Sequence, residues 1–233
     1  MDPKETVRTG YDALSFLYRR DDHVAPHHEA WATQLLEILS ESPARVLDLG
    51  CGCGIPVARD LALAGHTVLG VDISAVQIDR AKKLVPGGTF VQGDIAALAK
   101  GEPISESPET NALFSTNGQF DAVVALYVLI HLPVSEQTML IRQIGEWLKE
   151  GGFCMVIVGI SAQTFELGGW LGSDESVKMW WEQAGIEEYR KWAVEAGFEI
   201  VEDKRVKDLR APEDFEGHQF LLLKKLPMSV DRA

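Results

Sequence analysis

The chain has 233 residues, 46% of them hydrophobic, and its 22 basic against 35 acidic side chains give a formal net charge of −13. This length and apolar content suffice for a buried core, and so negative a charge argues against nonspecific binding to DNA, RNA or an anionic membrane. Three cysteines, no apolar run of membrane-spanning length and an N-terminus without a signal peptide's apolar segment point to a soluble protein of the reducing cytoplasm.

In chain order, residues 6–20 predict a helix, with Tyr11, Leu14, Leu17 and Tyr18 at helical spacing. Tyr11 and Tyr18 lie two turns apart and can face one cleft. Residues 26–39 predict a second helix, carrying Trp31, Leu35, Ile38 and Leu39. Both helices precede the first strand. They are therefore additions to an α/β core, which cover a sheet edge or close over a ligand as a lid at 1–42.

Residues 45–49 are short, apolar and β-prone and read as a buried strand. Gly50, Gly52 and Gly54 follow at every second position, where glycine allows positive φ and lets a ligand approach the backbone N–H groups. Residues 57–64 read as a helix with Pro56 in its first turn. Strand, glycine loop and helix together make a nucleotide-type site. The dinucleotide spacing G-x-G-x-x-G fails, because its last position falls on Ile55 or Val57. Asp48 stands at the strand end instead. A carboxylate there repels a pyrophosphate and suits a cation, such as a ligand carrying an ammonium and a sulfonium. Cys51 and Cys53 lie inside the loop, at a spacing that is neither a zinc nor a thioredoxin motif.

Two further strands, 66–72 and 89–94, also end in acids, Asp72 and Asp94, followed by Ile73 and Ile95. The acid after the second strand is the usual acceptor for ribose hydroxyls. Ser74 reads as the N-cap of a helix over 75–85. The polar stretch 97–119 predicts a disordered surface loop. Residues 120–127 form the fourth predicted strand, with Leu126 near its end and His131 just beyond, where the carboxyl ends of the strands meet a ligand. Ser135 is read as the cap of a helix to 149, and 153–158 as the fifth strand.

The stretch 161–196 holds four of the six tryptophans. Trp170, Trp180 and Trp181 are candidates for an apolar substrate pocket. Placed on a helix, the adjacent pair can send only one ring into it, and Trp192 is expected to pack a helix on the sheet. Residues 198–206 and 219–226 predict two closing strands with an antiparallel connection.

The loop Asp48-x-Gly-x-Gly-x-Gly, the acids Asp72 and Asp94, and the paired segments Phe120-Asp-Ala-Val-Val…His131-Leu and Leu148-Lys-Glu-Gly-Gly-Phe153 resemble the S-adenosylmethionine (SAM)-dependent methyltransferases with a Rossmann-like fold. The resemblance runs from about residue 11 to 226 and is most specific between 45 and 158. It implies a single domain over 1–233, a three-layer α/β sandwich. Its mostly parallel seven-stranded sheet would carry an antiparallel C-terminal strand, two extra N-terminal helices and a substrate-shaping insertion at 160–196. It implies SAM as cofactor, bound by Tyr11, Asp48, Gly50, Cys51, Gly52, Asp72, Ile73, Asp94, Ile95 and Leu126. Tyr11 would touch the methionine end, Asp94 the adenine amino group and the Ile95 N–H a ring nitrogen. Tyr18 would face the substrate, and His131 is the base candidate for a hydroxyl acceptor. In the family segment like 161–196 a His often stands where this chain has Gln183, which leaves that position without its catalytic side chain.

The expected reaction is methyl transfer to a small molecule, with oxygen favoured, no metal, no nucleic acid and no membrane; the oligomeric state is open. The competing readings are a NAD-type oxidoreductase, a protein using SAM structurally as a cyclase or partner module, and a protein or RNA methyltransferase. Against RNA stand the charge and the sequence Ala125-Leu-Tyr-Val128, which is no base-modifying motif.

Overall fold

The computed structural model describes residues 2–22, 26–39, 43–114, 118–207 and 215–227. Alternation along the central strands divides the interior into two layers. Leu47 and Leu49 of β1 (Arg45–Leu49), Leu69 and Val71 of β2 (Thr67–Asp72) and Val123 and Ala125 of β4 (Phe120–Ala125) face one cluster. Val46, Val68, Ala122 and Val124 face the other.

The first layer is closed by α5 (Ile95–Ala99), α6 (Pro108–Phe114), α7 (Val134–Trp147) and α8 (Ile186–Glu195). The second is closed by α1 (Pro3–Tyr18), α2 (Pro26–Ile38), α3 (Val57–Leu63) and α4 (Ala75–Leu84). Between them lies a seven-stranded sheet of order β3-β2-β1-β4-β5-β9-β8. It is completed by β3 (Thr89–Gln92), β5 (Leu148–Val158), β8 (Phe198–Val206) and β9 (His218–Lys225). Neighbours from β3 to β5 pair in parallel, and β9 runs antiparallel to both β5 and β8. The expected architecture is present.

The chain winds outward from β1 to β3 and then returns to place β4 on the other flank of β1. Their carboxyl ends therefore open a crevice at the switch point, where ligands of such sheets bind.

Three expectations are corrected. The stretch 97–119 was expected to be disordered, yet it contains α6. Ser107 Oγ accepts from the Thr110 N–H at 3.1 Å as an N-cap, and Phe114 is buried against the first layer. The Ser-Pro-Glu run at 107–109 is a helix-start signal that the polar composition masked; 115–117 lie outside the described residues. The tryptophan pair sits on a strand rather than a helix. β6 (Gln163–Gly168) and β7 (Lys178–Gln183) form a separate antiparallel hairpin that precedes α8, where Trp192 packs as expected. Finally, α7 begins at Val134 with Pro133 at its cap position, so Ser135 is already helical.

Helix α1 is laid against β7 by Gly10. A Cβ there would meet the Met179 thioether and come within 2.6 Å of the Lys178 carbonyl oxygen. Only glycine allows so close an approach of helix and strand.

Candidate functional site

The loop after β1 is shaped by its glycines. Gly50, Gly52 and Gly54 have φ of +66°, +54° and +80°. The Gly50 and Cys51 N–H groups donate to the Val71 carbonyl at 2.8 and 3.1 Å, which pins the loop across the end of β2. A Cβ at Gly50 would collide with Val128, whereas at Gly52 nothing lies within 4 Å. Gly52 therefore presents bare backbone to open space. Its N–H donates to Asp72 Oδ2 at 2.8 Å, and the Ser74 N–H donates to Asp72 Oδ1 at 2.9 Å. Asp72 is fixed but not ion-paired: burial raises its pKa to about 6, against the pull of those N–H donors. Asp48 is raised further, to about 8, by burial and then by the charge of Asp72. Two buried carboxyls this close favour a ligand that brings positive charge and hydroxyl donors.

Two cavities flank the loop. The first is lined by Tyr11, Tyr18, Gly50, Gly52, Asp72, Ile73, Asp94, Ile95, Leu126 and His131. The second has Asp48 and Cys51 on its wall and shares Tyr18, Gly50, Gly52, Gln77, Leu126 and Tyr127 with the first. All ten expected cofactor residues thus line one cavity or the other. Trp170, Trp180 and Trp181 line neither. Cys51 sits half-buried with its thiol pKa pushed up by burial, a loop residue rather than a reactive one.

Asp94 is more occupied than the sequence suggested. Its Oδ1 accepts from the Ala96 N–H at 2.8 Å as the cap of α5, and its Oδ2 pairs with Lys4 Nζ at 2.6 Å. Lys4 also reaches Glu136 at 3.1 Å. It thereby ties the start of α1 to the cavity rim. Further along α1, Asp12 Oδ1 accepts from Ser74 Oγ at 2.6 Å, and Ser15 Oγ donates to Gln77 at 2.9 Å. The helix is held over the cavity at both of its ends.

His131 lies in a 3-10 turn, Leu129–His131, after β4 and is 5% exposed. Its Nδ1 is 2.9 Å from the Trp180 carbonyl oxygen. A carbonyl only accepts, so Nδ1 carries the hydrogen. Nε2 is therefore the acceptor for the Tyr11 hydroxyl at 2.9 Å. Burial lowers the imidazole to about 4, opposed by the bond to Trp180, so the ring is neutral at pH 7. Tyr11 packs edge-on to Tyr18, His131 and Trp170, with ring centroids 5.3, 5.3 and 6.3 Å away. Trp181 tilts on His131 at 5.5 Å and meets Trp170 edge-on at 5.3 Å. Trp170 and Trp181 continue the aromatic cluster outward from the tyrosines that line the cavity. Of the adjacent pair only Trp181 joins it by its ring, while Trp180 acts through its carbonyl. Gln183 donates to the Ser161 carbonyl at 2.9 Å, away from both cavities.

Several lining residues escaped the sequence reading. Lys4, Arg19 and His28 line the cavities but carry no motif. Tyr127 does so too, with φ of +59°, a strained state for a non-glycine residue that marks a constrained position. Only the backbone reveals it.

A sequence profile described as a methyltransferase domain matches residues 19–203. The chain belongs to that family of SAM-dependent methyltransferases. A methyltransferase of Oceanobacillus iheyensis, itself uncharacterized, is 31% identical over 125 residues, 54% of this chain and 50% of that protein. A chloroplastic magnesium protoporphyrin IX methyltransferase of Arabidopsis thaliana is 29% identical over 181 residues, 70% of this chain and 52% of that protein. The chain spans about half the length of the curated relatives it matches. Among solved structures, the magnesium protoporphyrin IX methyltransferase of Synechocystis PCC 6803 with bound SAM superposes with a TM-score of 0.66. It is 19% identical and covers 97% of this chain and 98% of that one. That likeness establishes the methyltransferase fold. Among the described residues no helix is long and apolar enough to cross a membrane.

Proposed function

We propose that this methyltransferase transfers the methyl group of SAM to a small-molecule acceptor, with oxygen as the receiving atom. The observation that carries the reading is the pair of Tyr11 and His131. A neutral imidazole points its only free lone pair at a hydroxyl on the cavity wall. The residues present fit the cofactor. Asp72, held by two backbone N–H groups, offers its remaining lone pairs to the ribose hydroxyls, and the bare backbone at Gly52 allows close approach. Ile73 and Ile95 line the same cavity as Asp94 and would supply its apolar contacts to an adenine. Asp48 and Arg19 share the second cavity; an incoming ammonium would draw Asp48, raised to about 8 when unliganded, into its ionised form, and Arg19 would meet the carboxylate of the same amino-acid end.

When bound, SAM supplies a methyl group activated by the sulfonium. The chain's own residues align the acceptor, exclude water and take up a proton. Tyr18 and Tyr11 wall the place where the acceptor stands. The acceptor hydroxyl donates to Tyr11 Oη, and Tyr11 passes its own proton to His131 Nε2. Trp180 holds the other ring nitrogen and so keeps Nε2 aimed. An amine or thiol acceptor needs this relay less, which is why the geometry favours oxygen. The single domain and the absence of a nucleic-acid partner are part of the same reading, supported by one seven-stranded sheet that takes strands from residue 45 to 225 and by the charge of −13.

The test is turnover of labelled SAM with Tyr11→Phe and His131→Ala. Both variants should bind S-adenosylhomocysteine (SAH) about as wild type and lose about 10²-fold or more in kcat on a hydroxyl acceptor. Wild-type kcat in His131→Ala would remove the base role.

A further inference from the structure

The turn that joins β6 to β7 is built unlike the rest of the hairpin. Gly169, Leu171 and Gly172 have φ of +68°, +59° and +74°. Leu171 is a bulky residue in a left-handed conformation, so the turn is strained. Its two shaping bonds, from the Gly172 N–H to the Gly169 carbonyl and from the Ser173 N–H to the Trp170 carbonyl, close within the turn itself. What this turn holds in place is Trp170. The indole is only half-buried, and it lies 5.8 Å from the Tyr18 ring, 6.3 Å from Tyr11 and 5.3 Å from Trp181. Tyr11 and Trp181 meet it nearly at right angles, at 88° and 86°. On one side of Trp170 is solvent; on the other are the two tyrosines that line the cofactor cavity. The hairpin that carries Trp170 exposes apolar side chains: Phe165 stacks on Trp181 and is 40% exposed, and Leu167 of the same strand is 46% exposed.

We propose that Trp170 is a plug standing in the acceptor site, and that the acceptor is a planar aromatic molecule whose ring replaces the indole between Tyr11, Tyr18 and Trp181. This deepens the methyl-transfer reading and rests on it for the word acceptor, but the binding claim stands by itself. The site selects a flat ring because its walls are aromatic faces and edges already arranged around one. Perpendicular aromatic neighbours favour an aromatic guest over a saturated one of equal size, through the positive ring edge meeting the negative face. The strain at Leu171 and the glycines on either side give the turn a way to swing out, since its backbone bonds among the described residues close within the turn. The half-exposed position gives the incoming ring access from solvent without unseating α1 or the cofactor.

The test uses 2-naphthol as probe and decahydro-2-naphthol as its saturated counterpart, titrated calorimetrically into the full chain and into Trp170→Ala. If the plug leaves the site open in roughly a tenth of the molecules, removing it tightens 2-naphthol binding roughly tenfold. The saturated alcohol should gain much less, and SAH affinity should not change. Equal or weaker naphthol binding in Trp170→Ala would show the indole to be a fixed wall and overturn the proposal. An equal gain for both alcohols would overturn its aromatic selectivity. Trp170→Phe, which keeps a smaller ring, covers the case of a poorly folding alanine variant: it should show a partial gain, and none would contradict the plug. SAH titration of the same samples separates the two readings. Failure of SAH to bind would defeat the methyl-transfer reading, while the naphthol result would still decide the plug.

Discussion

The bond from His131 Nδ1 to the Trp180 carbonyl fixes which nitrogen can accept a proton, and burial keeps the ring neutral down to about pH 4. An acid limb in kcat from His131 therefore belongs near that value: activity is lost as pH falls through it, when Nε2 becomes protonated. The carboxyls behave differently. Asp72 is protonated below about 6 and Asp48 below about 8 in the unliganded protein. A ligand that needs Asp72 as carboxylate must bind more weakly at low pH. SAH affinity should fall roughly tenfold from pH 8 to pH 5 for a group of this pKa, with a larger fall where Asp48 contributes. Asp72→Asn should flatten the part of that dependence due to Asp72 and weaken binding by about 1.5–3 kcal/mol, as for a lost hydrogen bond to a charged group. Calorimetry across the pH range checks both, and a flat profile in wild type would take Asp72 out of the site. The acids at 48, 72 and 94 were legible because each stands at or just past the end of an apolar run: Asp72 ends β2, Asp48 is the penultimate residue of β1, and Asp94 lies two residues beyond β3 as the cap of α5. The tyrosine–histidine pair was not, because its members are 120 positions apart and only the seating of α1 over the sheet joins them.

Among the elements, α1 decides whether the site is complete, since it delivers Lys4, Tyr11 and Tyr18 to the cavity together. Its contact with β7 depends on Gly10. Gly10→Ala gains about 0.5–1 kcal/mol of helix propensity, but its Cβ would overlap the Lys178 backbone, and overpacking of this kind costs about 1–3 kcal/mol. The cost wins. The variant should melt at lower temperature and hold SAH less tightly; a higher melting temperature would show that α1 can shift without loss. Helix α6 gives a second case. Phe114 is 1% exposed, so Phe114→Ala should cost about 3–5 kcal/mol in denaturant unfolding. Under 1 kcal/mol would return the segment to a loose surface loop. Sequence composition misled there because Ser, Asn and Pro serve helix caps as well as loops. The β6–β7 hairpin was missed for a related reason: adjacent tryptophans fit a strand as well as a helix, and the turn that distinguishes them lies in the backbone at Gly169 to Gly172.

For the whole molecule, the strands were legible as short apolar runs and the glycine loop, which are local signals, and the mostly parallel seven-stranded sheet came from the family resemblance; the order β3-β2-β1-β4-β5-β9-β8 came only with the structure. The site instead assembles from α1, the loops after β1, β2, β3 and β4, and the hairpin, around the switch point between β1 and β4. The central claim is that this crevice holds SAM and not a dinucleotide. Calorimetric titration of the full chain with SAH at pH 8, with NAD in parallel, tests it most directly. The account predicts saturable binding of SAH with one site per chain and no heat from NAD beyond dilution. Binding of NAD, or of neither, would contradict it.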